Sequence, residues 1–484
     1  MPITSLRARL NGAPWWSWVA LGTIGSLGLA LAGSDVGAVP RPTSYRWWFR
    51  VPLGGYGGAH AVLYAAMAAL GLAWLGLGMI ARRGSLSRSR VLVAAVAWAA
   101  PLFAGAPLFS RDIYSYIAQG ELAASGLNPY HVAPSALAHD TLYYSLAAVW
   151  RHTPSPYGPL FVLLTRAGAR VAGTGLIEQI LVFRALELVG LALGAWAIVI
   201  IARRLHANEG VALWLAVLSP LALLSDVSAA HNDTLMIGLL LAGIALSLRG
   251  ARRGALALIA VAGAVKLPAL AGVAVLTVRD LRGVPWRRGA VLVIEALVIT
   301  VVVLAASTLV NGYGWTWASP TALSIPSELR TLATPSVSVG AFIAATLRVA
   351  GAHTLSTHTV VSVVQYVFDV ATLGVIAMAL LTIRAYNAVR VLGAVLLAVV
   401  LGGPTLWPWY LLWGLSVLAG TSAQSSRALA IGAVGATLLV GPGGSPMLGG
   451  NAYLISAPFV AGAIYWLVRH NREREILERA DRVA

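Results

Sequence analysis

The chain contains no cysteine and a single lysine among its 34 basic residues. Without cysteine, disulfide bonds and thiolate metal sites are excluded. Charge is also scarce, because only 11% of the 484 residues are charged while 58% are hydrophobic. A soluble domain of this size would need more charge to cover its surface. Apolar stretches of about 20 residues recur instead, each long enough to cross a bilayer as a helix. The sequence therefore predicts an all-α polytopic membrane protein.

The spacing of these stretches predicts about 12 to 14 membrane segments, counting half-helices, in one integral-membrane domain over residues 1–484. Residues 110–182 and residues 311–359 are predicted to be long outer loops that carry short interfacial helices. Residues 255–278 are flanked by arginines and interrupted by "VKLPAL", which favours two half-helices that enter the membrane and return. Residues 469–484 are predicted to be a solvated cytoplasmic tail.

The distribution of arginine predicts the orientation. A net charge of +17 is also typical of proteins that bind nucleic acid. Most arginines, however, fall on one side of the alternating spans. Such an excess marks the cytoplasmic side of a membrane protein. Both termini are therefore predicted to be cytoplasmic, and the long loops to lie outside the plasma membrane. The basic loops meet anionic membrane lipids, and we exclude nucleic acid as a partner.

The stretch "PLFSRDIYSY" gathers charge at the end of an apolar segment, where Asp112 follows Arg111. One interpretation is a helix cap or Asx turn, with Arg111 as an interfacial anchor. The other is a carboxylate held at the membrane surface as a general base for a hydroxyl. Side chains of the kind that hold a sugar are predicted to share one side of the helix that follows: Tyr114, Tyr116 and Gln119.

The motif "AHNDTLMIG" brings His231, Asn232 and Asp233 to the outer start of a predicted span. Asn232 and Asp233 are both suited to cap the helix that follows. The spacing is not that of a strong metal site, and no second cluster of ligands completes one. The functional alternative to a cap is binding of substrate hydroxyls or orientation of a phosphate.

Lys266 lies within the broken segment, beside Pro268. An ionisable residue at membrane depth is costly unless it is paired, and it is by default a functional candidate. It either pairs with carbonyls freed by the helix break or snorkels, or it binds a lipid-borne phosphate, which we favour. Arg184 and Glu187, three residues apart on one helix, are predicted to form an ion pair.

Aromatic residues cluster in "LWPWYLLW" at an outer helix end. An interfacial belt is one interpretation of Trp407, Trp409 and Tyr410. The other is a wall on which a sugar ring or an isoprenoid chain stacks. The rigid turn "TPSPYGPL" brings Tyr157 close to the return into the membrane.

Taken in order, "SRDIYSYIAQGELAASGLNPY", "TPSPYGPL", "AHNDTLMIG", "AVKLPAL" and "LWPWYLLW" resemble the polyprenyl-phosphomannose-dependent alpha-1,6-mannosyltransferases of actinobacteria. These enzymes build lipomannan and lipoarabinomannan and belong to the GT-C glycosyltransferases. The resemblance covers residues 101–413. It implies a GT-C-like bundle whose first long outer loop carries the catalytic acid, at the position of Asp112.

The resemblance also implies the substrates and the roles of the residues. The donor is polyprenyl-phosphate-mannose, and the acceptor is a mannose 6-hydroxyl on a phosphatidylinositol-mannoside or growing lipomannan. Asp112 is then the general base, and Lys266 with Arg111 binds the donor phosphate. Residues assigned to substrate binding are Tyr114, Tyr116, Gln119, Tyr157, His231, Asn232, Asp233, Trp407, Trp409 and Tyr410. No metal or other cofactor is expected.

Two alternatives stay open at this point. A GT-C transferase with arabinose or glucose as its sugar fits the same residues, because no feature of the sequence indicates which sugar is bound. A lipid or solute transporter also carries intramembrane charge and broken helices. The concentration of polar and aromatic motifs on one side of the membrane favours the enzyme.

Overall fold

A computed structural model of the chain describes residues 13–40, 51–137, 141–330, 334–351, 354–384, 387–421, 430, 432 and 434–445. The α-helices of this part are α1 (Trp15–Val36), α2 (Gly55–Arg82), α3 (Arg88–Ala104), α4 (Asp112–Ala124), α5 (Thr141–Ser145), α6 (Pro159–Ala172), α7 (Leu176–Arg204), α8 (Glu209–Ala216), α9 (Pro220–Ala222), α10 (Asp233–Leu248), α11 (Arg252–Val265), α12 (Ala271–Asp280), α13 (Trp286–Asn311), α14 (Pro320–Glu328), α15 (Pro335–Val349), α16 (Thr357–Leu381), α17 (Ala388–Gly402) and α18 (Leu411–Ala419). A π-helical turn, Leu223–Ser228, follows α9 directly. The 3₁₀ turns are Pro134–Leu137, Ala148–Trp150, Leu267–Leu270, Gly314–Ala318, Pro408–Tyr410 and Thr437–Leu439. The predicted cytoplasmic tail, residues 469–484, lies outside the described residues.

The predicted all-α membrane class is confirmed. Five of the described helices are long and apolar enough to cross a bilayer, namely α1, α2, α7, α13 and α16. A sixth span is formed if α8 and the helical segment Pro220–Ser228, bent by 42°, count as one. Four shorter apolar segments, Asp233–Leu248, Pro335–Val349, Ala388–Gly402 and Pro408–Ala419, add to these. Length and composition thus support fewer full spans than the predicted 12 to 14 segments, a number that included half-helices and segments beyond residue 445.

Local sequence sets several helix ends. Asn208 begins α8, because its side-chain oxygen accepts a hydrogen bond from the Val211 amide (2.9 Å). Pro159 stands at the first position of α6, where its missing N–H costs nothing. The same helix stops at Gly173, whose φ of 65° lies in the left-handed region that glycine enters freely.

The described residues form two compact units. The first unit comprises the described residues up to Ile325 together with 377–397 and 408–445. Its helices are joined by polar contacts of tryptophan as well as by apolar packing. Trp74 and Trp214 stack at 4.7 Å, and each indole donates to the backbone carbonyl of the other residue. A buried indole N–H needs such a partner.

Helices α7 and α10 approach through glycine. A Cβ atom on Gly238 would overlap the backbone of Gly190, and one on Gly190 would overlap the backbone of Leu235. The two helices can therefore lie this close only because both positions lack a side chain.

The predicted ion pair between Arg184 and Glu187 is wrong. Arg184 donates to the Phe103, Gly105 and Ser228 carbonyls, and a carboxylate oxygen of Glu187 accepts from the Leu235 amide (2.8 Å). Both side chains are fully buried, so each needs hydrogen-bond partners inside the protein. Each finds them in the segment that packs against its own side of α7. The guanidinium joins the end of α3 to the π-helical turn.

The second unit contains the described part of residues 326–376 together with 398–407. A buried polar network lies inside it: the Ser336 hydroxyl donates to the Gln365 side-chain oxygen. The Gln365 amide donates in turn to Asp369 (2.7 Å) and to the Gly402 carbonyl (3.2 Å). A fully connected network of this kind fixes the positions of its helices.

Candidate active site

Asp112 is the first residue of α4, and its carboxylate does not cap that helix. The Asp112 amide donates to the Ser110 hydroxyl (3.1 Å), and Arg111 is the N-cap residue, without a side-chain cap. One carboxylate oxygen, Oδ1, accepts from the indole N–H of Trp150 (2.8 Å), and Oδ2 lies 3.5 Å from His231 Nδ1. The cap interpretation is therefore wrong for Asp112.

The environment of Asp112 raises its pKa to about 6. Burial is the largest cause, because it penalises the charged form. The Trp150 hydrogen bond and the charge of Lys266 act in the opposite direction, and the charge of Asp233 adds to the rise. The side chain keeps 14% exposure. Asp112 is thus a carboxylate that a substrate can reach and that changes charge close to neutral pH.

His231 forms the opposite side of this carboxylate. Its ring stacks on Trp409 with the centroids 3.9 Å apart, and the Tyr116 hydroxyl lies 3.5 Å from Nδ1. Burial and the charge of Lys266 lower the pKa of His231 well below its usual value, so the imidazole is neutral. A neutral imidazole offers one donor and one acceptor, which suits hydroxyl groups.

Lys266 lies at the break between α11 and the turn Leu267–Leu270, with extended backbone (φ −153°, ψ 125°). Its ammonium donates to Asp233 Oδ1 (2.8 Å), and the same oxygen accepts from the indole N–H of Trp413 (2.5 Å). The break falls on the predicted "VKLPAL". Neither Asn232 nor Asp233 makes a cap hydrogen bond to α10, so the cap interpretation is wrong there as well.

Aromatic rings surround the Lys266 ammonium. Its nitrogen lies 4.5 Å from the ring centroid of Tyr410, 5.3 Å from that of Trp413 and 5.8 Å from that of Tyr157. Ring faces attract a cation electrostatically. Tyr157 also meets Tyr116 edge-on at 5.4 Å, so it connects the surroundings of Lys266 with those of Asp112.

Backbone contacts hold Tyr157 in this position. The Gly158 amide donates to the carbonyl of Val265 (3.1 Å), which is the last residue of α11. A Cβ atom on Gly158 would overlap the Ala264 carbonyl, so the close approach requires glycine. The turn "TPSPYG" is thereby tied to the residue that precedes Lys266.

Two strained residues flank the site. Phe109 has φ of 62° and Ala230 has φ of 53°, left-handed conformations that cost a residue with a Cβ atom of the order of 1 kcal/mol each. Phe109 precedes Asp112 by three positions, and Ala230 immediately precedes His231. Strain of this kind concentrates where surrounding structure fixes a functional side chain.

The predicted sugar-binding face of α4 is divided. Tyr114 and Tyr116, two residues apart, project in nearly opposite directions because an α-helix turns about 100° per residue. The Tyr116 hydroxyl reaches His231 and Asn232, whereas the Tyr114 hydroxyl donates to the Ala38 carbonyl (2.5 Å). The Gln119 side-chain amide donates to the Ser115 hydroxyl, and its oxygen accepts from the Ser155 hydroxyl. The prediction that these residues share one side is therefore wrong.

The Arg111 side chain forms hydrogen bonds with backbone carbonyls. Its guanidinium donates to the carbonyls of Gly443 (3.0 Å), Val39 (3.1 Å) and Ser145 (2.9 Å). These contacts brace three segments around the start of α4. The phosphate-binding role of Arg111 stays a prediction. Trp407 belongs to the second unit, and its substrate-binding role stays a prediction too.

Comparison with known proteins identifies the family. The N-terminal domain model of the alpha-(1->6)-mannopyranosyltransferases matches residues 19–281, and the MptB C-terminal domain model matches residues 334–470. The chain belongs to the alpha-(1->6)-mannopyranosyltransferase family. It is therefore an integral-membrane mannosyltransferase, as the sequence motifs predicted.

Individual members of this mannosyltransferase family support the assignment. Alpha-(1->6)-mannopyranosyltransferase A of Mycobacterium tuberculosis is 32% identical over 378 residues, covering 76% of this chain and 72% of the relative. A probable alpha-(1->6)-mannopyranosyltransferase of Mycolicibacterium smegmatis is 31% identical, covering 77% and 72%. Alpha-(1->6)-mannopyranosyltransferase B of Corynebacterium glutamicum is 29% identical, covering 84% and 73%.

One residue of the candidate site, Trp150, and one contact, that of Trp413, were missed from the sequence. Trp150 lies 38 positions from Asp112 in an irregular loop, and no spacing rule connects the two. Trp413 stood in the aromatic motif, but its contact with Asp233 spans 180 positions. Within the described residues, no three His, Asp or Glu side chains converge as metal ligands. Metal independence stays a prediction.

Proposed function

We propose that this mannosyltransferase moves mannose from polyprenyl-phosphate-mannose to the 6-hydroxyl of a terminal mannose on a phosphatidylinositol-mannoside or lipomannan acceptor. The product bond is alpha-1,6, formed with inversion of the beta-linked donor. The main support is that Asp112 and Lys266 lie in one site, lined by aromatic rings. An acceptor hydroxyl needs a base, and a leaving phosphate needs a cation.

Asp112 acts as the base. The acceptor 6-hydroxyl gives its proton to Asp112 Oδ2 while its oxygen attacks the anomeric carbon of the donor mannose. The bond from that carbon to the phosphate oxygen breaks, and polyprenyl phosphate leaves with the electron pair. Attack and departure occur on opposite faces of the sugar, which gives inversion. A base within hydrogen-bond reach typically contributes roughly 10²–10⁴-fold to such a step.

Lys266 stabilises the charge that develops on the leaving phosphate. One of its N–H groups is used by Asp233, and an ammonium group has three donors. The pair with Asp233 fixes the direction of the ammonium before the donor arrives. Preorganised charge of this kind is worth more in a site of low dielectric than in water.

Three buried polar atoms of the site are available to form hydrogen bonds with sugar hydroxyls. Among the described residues, His231 Nε2, Asn232 Nδ2 and Asp233 Oδ2 are buried without a hydrogen-bond partner. Buried polar atoms are nearly always satisfied in a finished structure, so a bound substrate is their natural complement. The rings of Tyr157, Trp409 and Tyr410 supply stacking surface for a pyranose.

The donor assignment is tested by transfer in nanodiscs. The purified protein is given a synthetic alpha-1,6-dimannoside and, in separate reactions, polyprenyl phosphates carrying mannose, arabinose or glucose. We expect transfer from the mannosyl lipid alone, with an alpha-1,6 product by NMR. Transfer from arabinose or glucose would contradict the donor, and an alpha-1,2 product would contradict the acceptor position.

The membrane face is tested separately with single cysteines, which the cysteine-free chain makes unambiguous. Ser125, after α4, and Ser89, in α3, are both exposed. In spheroplasts, a membrane-impermeant maleimide should label Ser125→Cys and should label Ser89→Cys only after lysis. The reverse pattern would put the site on the cytoplasmic face.

A further inference from the structure

Trp150 closes a short 3₁₀ turn, Ala148–Trp150, in the loop between α5 and α6. The side chain is 6% exposed, and its ring lies 6.5 Å from that of Tyr157. Its polar atom points at Asp112 Oδ1 over 2.8 Å. A large aromatic residue in an irregular loop is thus oriented so that its one donor meets the carboxylate.

The chemistry of an indole makes this contact directional. The ring nitrogen donates and cannot accept, so it binds the ionised carboxylate and has nothing to offer a proton on the same oxygen. Oδ1 is therefore occupied as an acceptor. Oδ2, 3.5 Å from His231 Nδ1, is the oxygen that an incoming hydroxyl can meet.

We propose that Trp150 is a positioning residue for mannosyl transfer, which selects Oδ2 of Asp112 as the oxygen that takes the acceptor proton and keeps that carboxylate ionised. The inference rests on the function proposed above and adds a residue to it. Trp150 acts through Asp112 and need not touch the sugar.

Several groups on the surrounding elements affect the pKa of Asp112, and the Trp150 indole is one of them. Burial raises the pKa of Asp112 and the Trp150 hydrogen bond lowers it, with smaller effects from Lys266 and Asp233. Within the part of the chain that the structure describes, the other ionisable side chains that face Asp112 include His231, Tyr116, Tyr157 and Tyr410. Of the described residues, the indole is the one uncharged hydrogen-bond donor that lowers this pKa.

The test is Trp150→Phe, which keeps an aromatic ring and removes the donor. Because the ionised form loses a hydrogen bond, the pKa of Asp112 rises. The acidic limb of the kcat/KM profile should therefore move to higher pH by about one unit. At pH 5, where both profiles are on their acidic limb, the variant should be roughly tenfold slower than wild type beyond any loss on the plateau.

Trp286→Phe is the matched control, because Trp286 is 78% exposed and lies at the start of α13. Its profile should coincide with that of wild type. A Trp150→Phe profile that is lowered evenly at every pH, with the limb in place, would overturn the inference and leave the proposed function standing. Absence of transfer by wild type would overturn the proposed function itself.

A second measurement needs no change at Trp150. Protein labelled with 5-fluorotryptophan should show one ¹⁹F resonance that titrates with the midpoint of the acidic limb. That titration should vanish in Asp112→Asn. If no tryptophan resonance follows the limb in wild type, the indole does not sense the charge of Asp112 and the inference fails.

Discussion

The ammonium of Lys266 lies 2.8 Å from Oδ1 of Asp233. The side chains are 13% and 1% exposed, so the only lysine of the chain is paired with a buried carboxylate. Breaking a buried pair by removing one partner is costly, because the other charge is left in a medium of low dielectric. The pair therefore has a structural consequence that can be separated from its proposed role in catalysis.

Lys266→Met should lower the free energy of unfolding by about 3 kcal/mol, and Lys266→Met with Asp233→Asn should recover most of that loss. Neither variant should transfer mannose, because both lack the cation. Thermal melts and transfer assays measure the two effects independently. Arg203→Met, which breaks an exposed pair with Glu209, should melt close to wild type. A double variant that transfers normally would remove Lys266 from the mechanism.

Asp112→Asn should reduce mannosyl transfer by roughly 10²–10⁴-fold and leave the melting temperature nearly unchanged. The amide oxygen still accepts from Trp150, but the amide cannot take a proton from a hydroxyl. Glu178→Gln makes the same chemical change at an exposed position in the first turn of α7 and should keep full activity. Normal turnover by a folded Asp112→Asn would move the search for the base to Asp233.

Transfer should weaken in acid. The base must be ionised, and the raised pKa of Asp112, about 6, means that it takes up a proton as the pH falls through that value. Below pH 6, kcat/KM should fall about tenfold per unit. The same protonation relieves the cost of a buried charge, so the melting temperature should not fall with the rate. A flat rate between pH 5 and 7 would exclude Asp112 as the base.

Gly238→Ala should lower the free energy of unfolding by about 1–3 kcal/mol. The new methyl group meets the backbone of Gly190, which cannot rotate away, so α7 and α10 must separate. Gly254→Ala, in the first turn of α11, meets a leucine methyl at an ordinary 3.7 Å and should be neutral or stabilising. Equal melting temperatures for the two variants would contradict the close approach.

Much of the site follows from the sequence because its signals are local. Asp112 directly follows an apolar stretch, and Lys266 interrupts another, so both are costly unless they have a use. The interpretations that failed at Arg184, Glu187 and Tyr114 concern the direction of a side chain around its helix. Spacing along one helix says which residues are neighbours, but the helices packed against it decide which partner is nearer.

The contacts of Trp150 and Trp413 lay beyond sequence reasoning for a related reason. Each joins an indole to a carboxylate far along the chain, and an aromatic residue near a membrane surface fits an interfacial belt equally well. The strained backbone at Phe109 and Ala230 could not be predicted from the sequence either, since neither residue type favours a left-handed conformation. Tertiary packing imposes it.

The hydrogen bond between the Gly158 amide and the Val265 carbonyl joins the residue that follows Tyr157 to the residue that precedes Lys266. Asp112 lies on α4, and among the described residues no backbone hydrogen bond of this kind ties α4 to α11. The Ser155 hydroxyl, in the same turn as Tyr157, donates to the Gln119 side-chain oxygen on α4 (2.8 Å). One turn therefore links the helix that carries the proposed base to the helix whose end carries the proposed cation.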